Sequence, residues 1–228
     1  MKNTAIVTGA SSGIGREISR VLVEMGYEVY GFGREFPEEE VYFHPIVCDL
    51  LNTPELERQI KEIRCRNEVS LLVNNAGVGY YGLHEELNVQ KIQKLVRTNL
   101  EVPMVLTNLL LRDLKKYSGT VINISSVTAQ LSNPHGCAYG ATKAGLSSFS
   151  RSLFDEVRKY GVRVVTIQPD MTKTDLYRNA DFAQGEEEAS YLLPEEIAEA
   201  VRNILQMREG TVVTEITLRP QIHRIRRK

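Results

Sequence analysis

The chain has 228 residues, of which 42% are hydrophobic and 25% charged, and its net charge is −1 at pH 7. These totals indicate one globular domain over residues 1–228, and they give no reason to expect nucleic acid as a partner. No apolar run is long enough for a membrane span, and the apolar run near the N-terminus is too short for a signal peptide. An odd number of cysteines (Cys48, Cys65 and Cys137) without metal-ligand spacing favours a reducing, cytoplasmic location and no metal site.

Apolar runs rich in β-branched residues alternate with helical patterns along the chain. Strands are predicted at 4–8, 28–33, 43–48, 69–75, 120–125, 162–168 and 211–218, and helices at 14–25, 54–65, 88–112, 138–160 and 194–207. This alternation predicts an α/β, single-domain Rossmann fold, with a doubly wound, seven-stranded parallel sheet and helices on both faces. Residues 170–193 are the least regular, and so long a connection is typical of a substrate loop. The basic tail, 224–228, is interpreted as a solvated terminus.

A glycine-rich turn, TGASSGIG, joins the first strand to the first helix. Glycines at such a junction let the backbone approach a pyrophosphate, and the helix N-terminus favours its negative charge. The sequence therefore predicts a nucleotide site here, although a plain glycine turn between a strand and a helix remains the alternative. The predicted cofactor contacts in the turn are Gly9, Ser11, Ser12, Gly13, Ile14 and Gly15.

The end of the second predicted strand should meet the adenosine ribose of a bound dinucleotide. An acidic residue there would bind a 2′-hydroxyl, whereas an arginine would accommodate a 2′-phosphate. Gly33 fills the expected acidic position and Arg34 follows it. This pattern favours NADP(H) over NAD(H), and a surface pair of Arg34 with Glu35 is the alternative.

Three further motifs follow in order: NNAG at 74–77, NISS at 123–126 and YGATK at 139–143. Together with the glycine turn, their sequences and separations resemble the short-chain dehydrogenase/reductase family. The resemblance implies an oxidoreductase that interconverts a carbonyl and a secondary alcohol by hydride transfer from NADP(H), with a small-molecule substrate. It also implies a homodimer or homotetramer that assembles through the two long helices.

The resemblance implies a catalytic set of Asn99, Ser126, Tyr139 and Lys143. Ser126 lies 13 residues before Tyr139, and Asn99 lies 27 before Ser126, as the family pattern requires. The remaining implied cofactor contacts, beyond the glycine turn and Arg34, are Asp49, Leu50, Asn75, Ala76, Gly77, Tyr139, Lys143, Pro169 and Thr174.

The chemistry of Tyr139 depends on its pKa, because a free tyrosine, with a pKa of about 10, exchanges protons poorly at neutral pH. Lys143 is four residues on and shares a helix face with Tyr139, so we expect its ammonium to lower that pKa. Ser126 is expected to hold the substrate oxygen against Tyr139. Asn99, through its side chain or a local kink, is expected to hold a water that leads from Lys143 to solvent.

The family usually has glycine after Pro169, whereas this chain has Asp170. The side chain either points away without effect or faces the pocket, where its carboxylate would disfavour acidic substrates. A 3-oxoacyl thioester is one candidate substrate, and a regulatory protein that senses NADP without turnover is the alternative function.

Overall fold

The structure is a computed structural model that describes residues 3–36, 42–178 and 180–227. The predicted domain limits, residues 1 and 228, and Asn179 in the predicted substrate loop lie outside the described residues. Among the described residues, no helix is both long enough and apolar enough to cross a membrane.

Seven parallel strands form one sheet in the order β3-β2-β1-β4-β5-β6-β8. A small antiparallel ribbon, β7 with β9, lies outside it. The strands are β1 Thr4–Thr8, β2 Glu28–Gly33, β3 His44–Val47, β4 Val69–Asn74, β5 Thr120–Ile124, β6 Arg163–Pro169, β7 Phe182–Gln184, β8 Glu215–Leu218 and β9 Ile225–Arg227. Every residue of β1 and β5 is buried, because helices cover both faces of the sheet. The predicted Rossmann fold is thereby confirmed.

Two apolar cores lie on the two faces of the sheet. The α-helices are α1 Gly13–Glu24, α2 Thr53–Arg66, α3 Val89–Val96, α4 Val102–Lys116, α5 Cys137–Val157 and α6 Pro194–Leu205. On one face, α1 and α6 pack together over alternate residues of β1, such as Ala5 and Val7. On the other face, α2, α4 and α5 cover Ile6, the strand residue between Ala5 and Val7. This alternation follows from the two-residue period of side chains along a strand.

The predicted helix over 88–112 differs most from the structure. It begins as α3, passes through a π-helical segment at Arg97–Glu101, and continues as α4 to Lys116. Pro103 is the second residue after this segment, and because proline has no N–H, it cannot continue the regular α-helical hydrogen bonding.

The C-terminal region also departs from the prediction. The last strand of the main sheet begins at Glu215 rather than at residue 211. Residues 224–227 of the basic tail are exposed, but they are not merely a solvated end, because Ile225–Arg227 pairs with Phe182–Gln184 inside the predicted substrate loop. The strand order reverses between β1 and β4, which places a crevice at the carboxyl ends of these two strands.

Candidate active site

A cleft of about 520 Å³ lies at the carboxyl ends of the parallel strands, and it is lined by residues that follow β1, β4, β5 and β6. It brings together nearly all of the residues predicted for the cofactor. Those that line it are Gly9, Ser11, Ser12, Gly13, Ile14, Arg34, Asp49, Leu50, Asn75, Ala76, Gly77, Tyr139, Lys143, Pro169 and Thr174. Gly15 does not line the cleft; it packs against the backbone of Gly9 in the glycine turn.

The glycine turn has the backbone that its sequence predicts. Gly9 and Gly13 have φ angles of +67° and +53°, a region that residues with a Cβ rarely adopt. A Cβ on Gly15 would lie 2.1 Å from Gly9 O, so only glycine allows the turn and α1 to approach so closely.

The N-terminus of α1 is open toward the cleft. Its N-cap residue is Ser12, the first turn holds no acidic residue, and among the described residues no side chain caps it. The backbone N–H groups of a helix's first turn lack intrahelical acceptors, and the helix dipole adds a partial positive charge. This end of the cleft therefore suits a phosphate or pyrophosphate group.

At the far end of the cleft, Arg34 is exposed where β2 ends. A Cβ on Gly33 would lie 2.9 Å from Phe36 Cζ and 3.0 Å from Ser11 Cβ, so an acidic residue there would require these side chains to shift. Asp49 accepts a hydrogen bond from Leu51 N at 3.0 Å and remains exposed.

Tyr139 and Lys143 lie four residues apart on α5 and face the other end of the cleft. Each is only 4% exposed, and Ser126, directly after the turn that ends β5, is 7% exposed. Ser126 Oγ accepts a hydrogen bond from Thr128 N at 3.2 Å, and it lies close enough to the Tyr139 phenol to lower the pKa of that group. Lys143 Nζ donates to Ile124 O at 2.8 Å, which ties the ammonium to the carboxyl end of β5.

Burial controls the charge of this pair. It raises the pKa of Tyr139 to about 12, a rise that the Ser126 side chain opposes. It also lowers the pKa of Lys143 to about 8. The prediction that Lys143 lowers the pKa of Tyr139 is therefore wrong for this structure. The ammonium lies 5.8 Å from the centre of the Tyr139 ring and is turned toward a backbone carbonyl, so the loss of hydration dominates.

Asn99 does not line the cleft but lies behind it in the π-helical segment. Its amide exchanges hydrogen bonds with the backbone of Val78, at 2.9 Å and 3.0 Å, and donates to Thr142 Oγ1 at 3.2 Å. The side chain is thus used in joining α5 to the segment after β4. Val102 N donates to Arg97 O rather than to Thr98 O, and Pro103 offers no N–H to Asn99 O. The sequence predicts a water held either by the Asn99 side chain or by a local kink. The side chain is already bonded, so the carbonyls at the kink are the more suitable acceptors.

Sequence reasoning missed several residues at the site. Ser125 Oγ donates to Lys143 O at 3.0 Å and pairs with Ser147 Oγ at 2.9 Å, which fixes α5 against β5. Lys94 and Arg97 line the far end of the cleft from the helix side. The sequence spacing of Lys94 and Arg97 from Asn99 could not show that they reach the cleft. A signal for the π-helical kink was present, because Pro103 lies inside the predicted helix.

Asp170 lines the cleft, and its carboxylate has partners. Oδ1 accepts a hydrogen bond from Met171 N at 2.8 Å, and Oδ2 lies 4.0 Å from Arg219 Nε. The side chain therefore does not simply point away from the site. Because Arg219 offsets part of its charge, repulsion of an acidic substrate would be weaker than for an unpaired carboxylate.

A glycine turn at the switch point of a parallel sheet, with a buried tyrosine and lysine at the opposite end of one cleft, defines a nucleotide-dependent oxidoreductase. The short chain dehydrogenase family profile matches residues 3–184. The chain belongs to this family, so the resemblance seen in the sequence motifs is confirmed.

Named relatives show how far the similarity extends. A serine 3-dehydrogenase from Agrobacterium fabrum is 33% identical over 77% of this chain and 74% of its own length. An NADPH-dependent 3-dehydrocapnine reductase from Ornithobacterium rhinotracheale is 32% identical over 77% of this chain and 68% of its own. An alcohol dehydrogenase from the archaeon Thermococcus sibiricus, solved with 5-hydroxy-NADP, superimposes with a TM-score of 0.86 at 28% identity, covering 98% of this chain and 99% of that one.

Proposed function

We propose that this protein is an NADP(H)-dependent oxidoreductase that interconverts a carbonyl and a secondary alcohol, with Tyr139 as the proton donor and acceptor. One observation carries the proposal: Ser126, Tyr139 and Lys143 line the same cleft as an uncapped helix N-terminus behind a glycine turn. This arrangement provides a phosphate site and a proton donor within one ligand-sized space.

The described residues fit a nicotinamide dinucleotide. The glycine turn and the open end of α1 would hold its pyrophosphate, while Asn75, Ala76 and Gly77 would line the adenosine side. Thr174, for which the family resemblance implies a contact with the nicotinamide, lines the cleft, and its Cγ2 lies 3.2 Å from where a Gly13 Cβ would stand, next to the glycine turn. When bound, the cofactor supplies or accepts the hydride.

Proton transfer is the part that this chain's residues perform. Ser126 would donate a hydrogen bond to the substrate oxygen and hold it beside the phenol. Because burial raises its pKa to about 12, Tyr139 keeps its proton at neutral pH. The substrate oxygen becomes a much stronger base as hydride reaches the carbonyl carbon, so it can take that proton. A replacement proton would reach Tyr139 from solvent by way of Lys143. The kink at Asn99 would assist, because its backbone carbonyls without α-helical donors can hold a water on this path.

Preference for NADP(H) over NAD(H) is part of the proposal. Arg34, exposed at the cleft beside Gly33, is the cation best placed by its sequence position for a 2′-phosphate, and Lys94 and Arg97 line the same end of the cleft. Two of the similar proteins support this preference: one is named as an NADPH-dependent reductase, and the other was solved in complex with 5-hydroxy-NADP.

Three other expectations stay proposals. Residues 170–193 are proposed as the substrate loop, since Thr172, Leu176 and Tyr177 line the cleft. Assembly through the helices α3–α4 and α5 is proposed, and exposed apolar residues on α3 and α4, among them Val89 and Met104, support it. A cytoplasmic location is supported by three free cysteines, two of them exposed.

The proposal is tested by titrating the protein with NADPH, following cofactor fluorescence, and then measuring NADPH oxidation across a panel of carbonyl compounds that includes a 3-oxoacyl thioester. We expect saturable binding and turnover of at least one carbonyl. Tight NADPH binding without oxidation on any member of the panel would instead favour the sensing function.

A further inference from the structure

Three aromatic side chains form a cluster beside Tyr139, and we call Tyr81, Tyr177 and Phe182 the aromatic cover. Tyr177 lines the cleft, and the other two rings pack against it. The Tyr81 ring centre lies 5.6 Å from that of Tyr139, 5.0 Å from Phe182 and 6.0 Å from Tyr177. Tyr177 and Phe182 are 5.6 Å apart. The three rings thus contact one another, and one of them contacts the proposed proton donor.

The position of the cover is built into the backbone below it. A Cβ on Gly79 would lie 2.8 Å from Tyr81 Cε2 and 3.2 Å from Leu176 O. Glycine there lets the Tyr81 ring and the segment before Tyr177 come together. Burial raises the pKa of Tyr81 well above its ordinary value, so the cover presents a neutral, largely apolar wall.

Phe182 is held in the cover by the C-terminal strand. It begins β7, in which Phe182 pairs with Arg227, Ala183 with Arg226 and Gln184 with Ile225 of β9. Two backbone hydrogen bonds extend the contact, from Gly185 N to Arg224 O at 3.2 Å and from Ile222 N to Ala189 O at 2.9 Å.

Complementary charges mark the same contact. Glu187 pairs with Arg224, and Glu186 pairs with Arg226 at 3.4 Å. Each pair is exposed and contributes little alone, but both act across a ribbon of only two short strands. The basic tail and the acidic residues Glu186 and Glu187 of the loop therefore contact each other through complementary charges.

We infer that strand β9 is a positioning element of the active site: it holds Phe182 in the aromatic cover, and the cover binds the apolar group of the carbonyl substrate beside Tyr139. The substrate class that fits is a carbonyl compound carrying a flat apolar group, because aromatic rings bind such groups edge-to-face or in offset stacks. This inference rests on the proposed function and names the substrate class for the same site.

The test reverses the charges of the strand without shortening the chain. In the double variant Arg224→Glu/Arg226→Glu, like charges face Glu186 and Glu187 and should release β7. Adding Glu186→Arg/Glu187→Arg restores opposite charges and should restore the contact. The control Lys61→Glu/Arg208→Glu has the same change of net charge at exposed positions on α2 and after α6.

Two matched diketones report on the cover, 1-phenyl-1,2-propanedione and 2,3-butanedione, which differ by a phenyl group. We expect the double variant to raise KM for the phenyl compound about 3–10-fold, the value of one aromatic contact, with little change for the methyl compound. The NADPH Kd should stay as in wild type, and the fourfold variant should recover the wild-type KM. Equal effects on both diketones, or none, would overturn the inference.

A reporter independent of turnover is available because the chain has no tryptophan. In a Phe182→Trp background, the emission should shift to the red when Arg224 and Arg226 are reversed, and it should shift back in the compensated variant. Unchanged emission would overturn the role of β9. If the wild-type protein reduces no carbonyl at all, the proposed function fails, whereas this emission still decides whether β9 holds the cover.

Discussion

Replacing Lys143 with methionine should stabilise the folded protein at neutral pH while it removes a proposed catalytic group. Burial lowers the pKa of Lys143 from 10.5 to about 8. Since one pKa unit corresponds to about 1.4 kcal/mol, keeping the ammonium buried lowers the free energy of unfolding by roughly 3 kcal/mol at neutral pH. Methionine has a similar length and no charge.

The gain is reduced by one lost hydrogen bond. Ile124 O accepts from Lys143 Nζ at 2.8 Å, and leaving this buried acceptor without a donor costs about 1–2 kcal/mol. We therefore expect Lys143→Met to raise the free energy of unfolding by about 1–2 kcal/mol and Tm by roughly 2–6 °C.

The effect has a defined pH dependence. The folded pKa of Lys143 lies below its unfolded value, so between pH 8 and 10.5 the unfolded chain binds more protons. The wild-type protein therefore gains stability from this group as the pH rises from 8 to 10.5, and loses it as the pH falls through 8. The advantage of Lys143→Met should shrink over this window, vanish inside it, and turn into a small disadvantage near its upper end, where the lost hydrogen bond remains.

Urea unfolding of both proteins at neutral pH and near pH 10.5 measures the difference. Lys61→Met, on the exposed face of α2, is the control and should change stability little. If Lys143→Met is less stable than wild type at neutral pH, with an unchanged urea slope, the buried ammonium does not destabilise the fold and the reasoning is refuted.

Three further variants test the cleft. Arg34→Ala should weaken NADPH binding about tenfold or more, the value of one charge-assisted hydrogen bond, and leave NADH binding unchanged; equal losses in fluorescence titrations would contradict a 2′-phosphate site. Gly15→Ala places a Cβ 2.1 Å from Gly9 O and should lower the free energy of unfolding by about 1–3 kcal/mol, measured in urea; unchanged stability would mean that the turn adapts. Asn99→Leu leaves the half-buried N–H and C=O of Val78 without their partner, removes the bond that Thr142 Oγ1 accepts, and should cost about 2–4 kcal/mol in the same assay; a cost below about 0.5 kcal/mol would contradict those bonds.

The sequence predicted the parallel sheet well because its strands are buried on both faces. Continuous apolar runs such as TAIVT and TVINIS have no other stable position in a chain of this size. The β7–β9 ribbon could not be predicted, since each strand has three residues and its partner lies about 40 residues away in an irregular segment. Only the charge complementarity of EEE and RIRR pointed to it.

Sequence predicted which residues meet in the cleft, but not their electrostatics. The spacing of Tyr139 and Lys143 correctly placed both on one helix face. It could not show that both are buried, or that the ammonium turns to Ile124 O, and these facts decide their pKa values. Likewise, Asn99 was predicted from spacing, whereas its bonds with Val78 depend on a segment that is close only in the folded protein.

The most direct test of the proposed reaction compares wild type with Tyr139→Phe, which removes only the phenolic oxygen. NADPH oxidation by an accepted carbonyl should be abolished in the variant, because no group remains to protonate the substrate oxygen. The NADPH Kd, measured on the same samples, should equal that of wild type. A variant that still reduces the carbonyl at the wild-type rate would contradict the role of Tyr139 in the proposed reaction.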